Sequence, residues 1–226
     1  MTLIIAADVQ DHLMLAGDHC AVMSNVSNTG APERVIKNYR KVYFWKHGAI
    51  AASGDVVLMV WFCRLLLHHE RSGQPLDLLQ IARQAKQRRA CDAIPCEVST
   101  GNIFFSLPGG EGFNLYGVFI KAQTIELELI EPISTRFSMR EAVPDAAACH
   151  VFNSRLRPSF FFKDAQAFQQ HHLGLLGAFY AGHSAVDDRV TPSFDVILLE
   201  KRTGRAMAWQ VSERAASLVS ITLMGH

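Results

Sequence analysis

The chain has 226 residues, 49% of them hydrophobic, with 22 Lys and Arg set against 21 Asp and Glu. That length is enough for one well-buried core and reads as a single domain over residues 1–226. The near-neutral balance excludes a whole-chain field that would draw nucleic acid or an anionic membrane.

From the N-terminus, Thr2 to Val9 and His12 to Gly17 read as a hairpin of apolar strands turning at Gln10-Asp11. Val22 to Asn38, where Ser24, Asn25, Ser27, Asn28, Gly30 and Pro32 cluster, reads as a long surface loop. Lys41 to Trp45 and Ala49 to Ala52 form a second strand pair around Lys46-His47-Gly48. Asp55 is placed to cap a helix with the body Val56 to Leu67, and a second helix starts near Pro75 with Leu78, Ile81, Ala82 and Ala85 on one face. Arg83, Lys86, Arg88 and Arg89 fall mostly on its other, solvated face.

Beyond Pro95 come strands at Asn102 to Leu107, Leu115 to Lys121 and Thr124 to Glu131, the last alternating as a sheet with one wet face should. Residues 132–148 carry no clear period. A short strand at Cys149 to Phe152 is expected next, then a helix from Asp164 to about Ala181 with Phe168, His172, Leu175, Leu176 and Phe179 on one stripe. Strands at Asp195 to Glu200, Arg205 to Val211 and Ala216 to Leu223 close the chain. This order suits an α+β architecture of two stacked antiparallel sheets with helices over both outer faces.

Several functional classes are set aside by simple signals. The five cysteines, without a repeated CxxC spacing, suit reduced packing thiols, and Cys91 and Cys96 are too far apart for a common zinc knuckle. The pairs His68/His69 and His171/His172 lack an HExxH pattern and read as exposed helix-end histidines. Gly109-Gly110-Glu111-Gly112 reads as a hairpin or loop rather than a dinucleotide loop. The N-terminus has no basic n-region or small-residue cleavage site, and the apolar run from Val56 to Phe62 falls well short of the roughly 20 residues of a membrane span. A cytoplasmic protein is the expectation.

The chemistry concentrates near the start. If Met1 is removed, Thr2 owns a hydroxyl and a free α-amine, a nucleophile and its base in one residue. Thr2 opening a strand, Leu15-Ala16-Gly17-Asp18 closing the next, Arg40-Lys41-Val42 opening a third, and Ala52-Ser53-Gly54-Asp55 before an apolar helix form an ordered set. The set resembles the catalytic β-type subunits of the proteasome family, most of all the bacterial branch that includes the peptidase of the heat-shock-locus protease (HslV-type).

That resemblance implies the four-layer αββα N-terminal-nucleophile sandwich and a self-compartmentalising threonine peptidase assembled from identical subunits in stacked rings. Its substrate would be peptide or unfolded polypeptide, with no cofactor and no metal; an ATP-dependent unfoldase partner is left open. It assigns Thr2 as nucleophile, Lys41 as the ammonium that lowers the pKa of the Thr2 amine, and Asp18 as the carboxylate orienting Lys41. An ungapped alignment would put Arg34 in the lysine position; Lys41 keeps the spacing to Val42-Tyr43-Phe44-Trp45 and Ser53-Gly54. Gly54 would give the oxyanion its backbone N–H. Ser53 and Val57 would line the substrate side-chain pocket, and Val22 would pair with the substrate strand. Asp187, with Asp188 as its equal neighbour, and Ser154 would orient the Thr2 amine. Two other readings share the fold: a catalytically idle ring-forming scaffold or gate, and an amidohydrolase of a small amide.

Overall fold

A computed structural model describes residues 3–23, 34–73, 76–92, 99–139, 145–212 and 216–217. The opening hairpin forms as expected: β1 (Ile4–Asp8) pairs antiparallel with β2 (His12–Asp18), turning through Gln10 at φ 66°. Both strands are almost wholly apolar because both faces of the sheet they build are covered. Leu3, Ile5 and Ala7 point to one core and Ile4 and Ala6 to another, the period of two expected of a strand.

The stretch expected to be a surface loop contains structure at both ends. β3 (Cys20–Met23) pairs with β4 (Arg34–Lys37) as a two-stranded ribbon, and residues 24–33 lie outside the described residues. Four-residue strands flanked by Ser, Asn, Gly and Pro leave too little periodicity to be read. β5 (Val42–Trp45) and β6 (Gly48–Gly54) follow as a hairpin. Asp55 then caps α1 (Val56–Ser72), its Oδ1 accepting the amides of Val57 at 2.9 Å and Leu58 at 3.4 Å, and Gly73 ends the helix in the left-handed region. α2 (Leu78–Ala90) is capped by Asp77; Pro75, near which its start was expected, lies outside the described residues, as does Cys96. Arg89 departs from the solvated-face expectation, being buried in an ion pair with Asp55 that ties the two helices together.

β7 (Gly101–Gly109) and β8 (Gly112–Ile120) form the hairpin read from the glycine cluster, with Gly109 opposite Gly112. β9 (Ile125–Leu129) follows. The stretch without a clear period holds β10 (Ser134–Ser138), an edge strand whose two faces differ too little in polarity to announce it. The expected strand at Cys149 to Phe152 is instead α3 (Ala146–Ser154), capped by Asp145. Ala146-Ala147-Ala148 and that cap outweigh the lone β-branched Val151. α4 (Ala165–Ser184), β11 (Phe194–Glu200), β12 (Ala206–Val211) and β13 (Ala216–Ser217) complete the chain; residues 218–223 of the last expected strand lie outside the described residues.

The strands form a six-stranded sheet, β10-β1-β2-β11-β12-β13, and a five-stranded sheet, β5-β6-β7-β8-β9. Among the described residues, three apolar cores are formed. One lies between α3, α4 and the six-stranded sheet, with Phe168, Leu176, Phe179 and Tyr180 meeting Leu3, Ile5 and Val196. A second lies between the sheets, where Ile4, Leu15 and Ile197 meet Ala51, Phe104 and Leu115. The third packs Phe62 and Leu66 of α1 and Ile81 of α2 on Ile103, Phe105 and Val118. Each fully buried Leu, Ile or Phe contributes about 1.5–3 kcal/mol, so these layers fix where the hairpin ends lie.

His172 is not an exposed helix-end residue: it sits inside α4, fully buried, its Nδ1–H donating to the Phe168 carbonyl at 2.9 Å. Burial pushes its pKa down from 6.5 to about 4. Among the described residues no helix is long and apolar enough to cross a membrane, and no group of three or more His, Cys, Asp and Glu could hold a metal.

Candidate active site

Asp18 ends β2 and is fully buried, a costly position for a carboxylate unless its oxygens are used. Its Oδ1 accepts the Leu3 amide at 2.8 Å and the ammonium of Lys41; its Oδ2 accepts the amides of Cys20 at 2.9 Å and Thr191 at 3.4 Å. Lys41, immediately before β5, is buried too. Burial pushes its pKa below the ordinary 10.5, and Asp18 offsets this only in part. Glycine at residue 17 leaves room for Lys41: a β-carbon there would lie in tight contact, 3.1 Å from Lys41 Cβ and 3.2 Å from Val42 Cγ2. Arg34 belongs to β4, its backbone paired with Met23, so Lys41 is the cation that meets Asp18.

Asp18 also fixes the head of the chain. The Leu3 amide is held by Asp18 Oδ1, and the Leu3 carbonyl accepts the Asp18 amide at 3.2 Å and the Tyr180 hydroxyl at 3.5 Å. Tyr180 lies fully buried on α4, stacked on Phe194 at 4.8 Å between centroids. Burial first, then Asp18, raises its phenol well above the ordinary range, so it remains a neutral donor. Thr2 itself lies outside the described residues; its chain neighbour is clamped from three directions.

At the end of β6 the backbone turns into α1 through Gly54 at φ 116°. A β-carbon on Gly54 would lie 2.4 Å from both the Gly101 Cα and the Thr100 carbonyl oxygen, so only glycine fits. Beside it, the Ser53 hydroxyl meets the Ser138 hydroxyl at 2.7 Å, and Asn102 Nδ2 donates to Ser138 at 2.8 Å. Ser138 stands opposite Ile4 in the β1–β10 register, which brings this polar cluster to the same end of the sheet as Asp18.

Val22, Lys41, Ser53 and Gly54 border one cavity of about 280 Å³, which extends along Met59 and Cys63 of α1. Val57 is not on its wall. Val56, Met59, Val60 and Cys63 are, because residues three and four apart share a helix face while the next residue is rotated by about 100°. Asp187 and Ser154 are placed differently. Ser154 is exposed at the end of α3, its hydroxyl donating to its own helix at Val151, 2.9 Å away. Asp187 accepts the amide and the Nε–H of Arg189, both at 3.0 Å; partial burial pushes its carboxyl up, and the Arg189 bonds bring it below its usual value. Asp188 is exposed.

The sequence reading missed Ser138, Tyr180 and Thr191. Thr191 hides behind the Asp187-Asp188 pair that drew attention four residues earlier, yet it accepts the His19 amide at 2.9 Å as well as giving its own amide to Asp18. Tyr180 is a polar-tipped residue on the apolar stripe of α4, and a buried tyrosine hydroxyl that needs a partner was the available signal.

No protein-family model matches the chain, and no curated protein does. Among solved structures, two of Anbu from Hyphomicrobium sp. strain MC1, one of them a mutant form, are similar to it. Their TM-scores are 0.65 and 0.63 at 12% and 13% identity, covering 94% and 93% of this chain and 88% of each of theirs. Likeness at that identity speaks for a shared fold and not for a particular family.

Proposed function

We propose that the chain is an N-terminal-threonine peptidase with the αββα sandwich of N-terminal-nucleophile hydrolases, working as identical subunits in a ring. The observation that carries this is the buried Asp18–Lys41 pair, whose carboxylate also binds the amide of Leu3, the residue next to Thr2. A buried ion pair is weak evidence for stability, since apolar residues of similar volume would do as well. Its value here is a fixed positive charge beside the head of the chain. The likeness to Anbu and the three stacked cores support the same reading.

In this mechanism Met1 is removed, and the Thr2 hydroxyl attacks a peptide carbonyl carbon while its proton passes to the α-amine, directly or through a water. A free α-amine has a pKa of about 7.7–8.0, and the Lys41 ammonium lowers it so that more of the amine is free to act as base. The backbone N–H of Gly54 stabilises the oxyanion. Collapse expels the leaving amine, which takes the proton from the Thr2 ammonium, and leaves an ester on Thr2 Oγ1. Water, deprotonated by the same amine, then hydrolyses the ester. Ser138 supports the site through Ser53, and Thr191 through Asp18.

The test pairs hydrolysis of fluorogenic peptides with native mass. The expected result is an oligomer that cleaves peptides and loses at least about a hundredfold in rate on Thr2→Ala. Unchanged hydrolysis by Thr2→Ala, or a monodisperse monomer, overturns the reading.

A further inference from the structure

Asp195 on β11 is a second buried carboxylate near the site, and the mechanism above leaves it unused. It stands opposite Gly17 in the β2–β11 register, so its side chain shares the face on which Gly17 leaves room for Lys41. Its Oδ1 lies 3.1 Å from His19 Nε2 and its Oδ2 lies 3.4 Å from Arg40 Nε, both at ion-pair distance and neither in hydrogen-bond geometry. A carboxylate oxygen only accepts, so the Nε2 facing it carries a proton. The His19 side chain is 4% exposed and that of Arg40 56%, which makes His19 the stronger of the two contacts. His19 follows Asp18 in the chain, and Arg40 precedes Lys41.

We infer that Asp195 is a positioning residue of the site: through His19 and Arg40 it sets the segment that ends β2 against the segment that opens β5, and with them the place of the Lys41 ammonium beside the head of the chain. The inference rests on the peptidase reading and adds a residue to it. β2 and β5 lie in different sheets, so no strand pairing holds Asp18 to Lys41. Side chains and single backbone bonds must do so. The His19 carbonyl accepts the Tyr39 amide at 2.9 Å, and the His19 amide donates to Thr191 Oγ1 at 2.9 Å. Asp195 closes this frame from the side of β11. A misplacement of roughly 1 Å can cost on the order of a hundredfold in rate, so a residue that touches no substrate can still govern the reaction.

Peptide hydrolysis by Asp195→Ala and Asp195→Asn, per active site titrated with a peptide epoxyketone, tests this. Asp195→Ala should lose at least about tenfold in kcat with KM within about twofold of the parent. The acid limb of its kcat profile against pH should move up toward the free-amine range of about 7.7–8.0, because the Lys41 charge then acts less on the Thr2 amine. Asp195→Asn, isosteric and still an acceptor for His19, should show the same changes in smaller measure. Asp8→Ala is the structural comparison: it breaks the buried contact with Lys201 at the far end of β1, and should lower the melting temperature while leaving kcat and the acid limb in place. Variants at Asp195 that match the parent in kcat and acid limb, or changes that Asp8→Ala reproduces, overturn the inference. A readout free of catalysis is the NMR signal of Lys41 Cε in isotope-labelled Thr2→Ala protein, assigned by its loss in Lys41→Arg. Asp195→Ala should bring the titration of that signal nearer the ordinary 10.5, as water reaches the ammonium. A wild-type protein that hydrolyses no peptide overturns the peptidase reading; a Lys41 signal moved by Asp195→Ala then leaves the positioning standing, and an unmoved one overturns it as well.

Discussion

Oδ1 of Asp18 serves two masters: it accepts the Lys41 ammonium and, at 2.8 Å, the amide of Leu3. One oxygen therefore couples the position of the charge to the position of the chain's first strand. Replacing Lys41 by Met should cost about 3–5 kcal/mol, because Asp18 is left as a buried carboxylate without its cation. The double variant Lys41→Met with Asp18→Asn should recover part of that stability but none of the activity. Urea unfolding and peptide hydrolysis on the two variants check this; activity restored with stability would remove Lys41 from the mechanism.

Gly54 is held at φ 116° with backbone atoms 2.4 Å from where a β-carbon would stand. Gly54→Ala should lose at least about 2–3 kcal/mol from backbone strain and displacement of residues 100–101. Peptide hydrolysis should fall with it, since the same turn borders the cavity. A melting temperature equal to that of the parent would show that the turn relaxes without strain.

Ser138 joins Ser53 and Asn102 in one hydrogen-bonded cluster. Ser138→Ala leaves two polar side chains without this partner, a loss of about 1–3 kcal/mol. The variant should also raise KM for peptides more than it lowers kcat, because Ser53 lines the cavity. A change confined to kcat would assign Ser138 to the chemical step.

His172 sets a pH window for stability. The folded protein takes up this proton only near pH 4, whereas the unfolded chain does so near 6.5. Protons therefore favour unfolding across that interval, and stability falls as the pH drops from about 6.5 to about 4, by on the order of 3 kcal/mol. His172→Phe should fit among Phe162 and Phe168, and its stability should decline less over the same window. Chemical denaturation at pH 7, 5.5 and 4.5 reads the difference; parallel curves would discharge His172 from the acid response.

Much of the fold was legible because short apolar runs such as Leu3-Ile4-Ile5-Ala6-Ala7 are bounded by turn residues; in the fold their alternate residues enter two cores, as Leu3/Ile5/Ala7 and Ile4/Ala6 do. The failures have a common physical origin. β10 carries polar residues on both faces, β3 and β4 are four residues each, and α3 is an alanine-rich helix of only nine residues whose apolar partners lie on distant segments. At the site, Asp18, Lys41 and Gly54 could be read because each closes or opens a strand at a recognisable spacing. Ser138, Tyr180 and Thr191 act through register and packing, with Thr191 meeting Asp18 across 173 residues of sequence. No local pattern encodes a contact of that kind.

The most direct measurement is intact-mass and peptide-level mass spectrometry of the purified chain before and after treatment with a peptide epoxyketone, which bonds to both the hydroxyl and the α-amine of an N-terminal nucleophile. The expected result is a protein that has lost Met1 and carries one adduct on Thr2, with the adduct forming much more slowly in Lys41→Met. A chain that keeps Met1, or an adduct that forms elsewhere while Thr2 stays free, would contradict the assignment of Thr2 as the nucleophile.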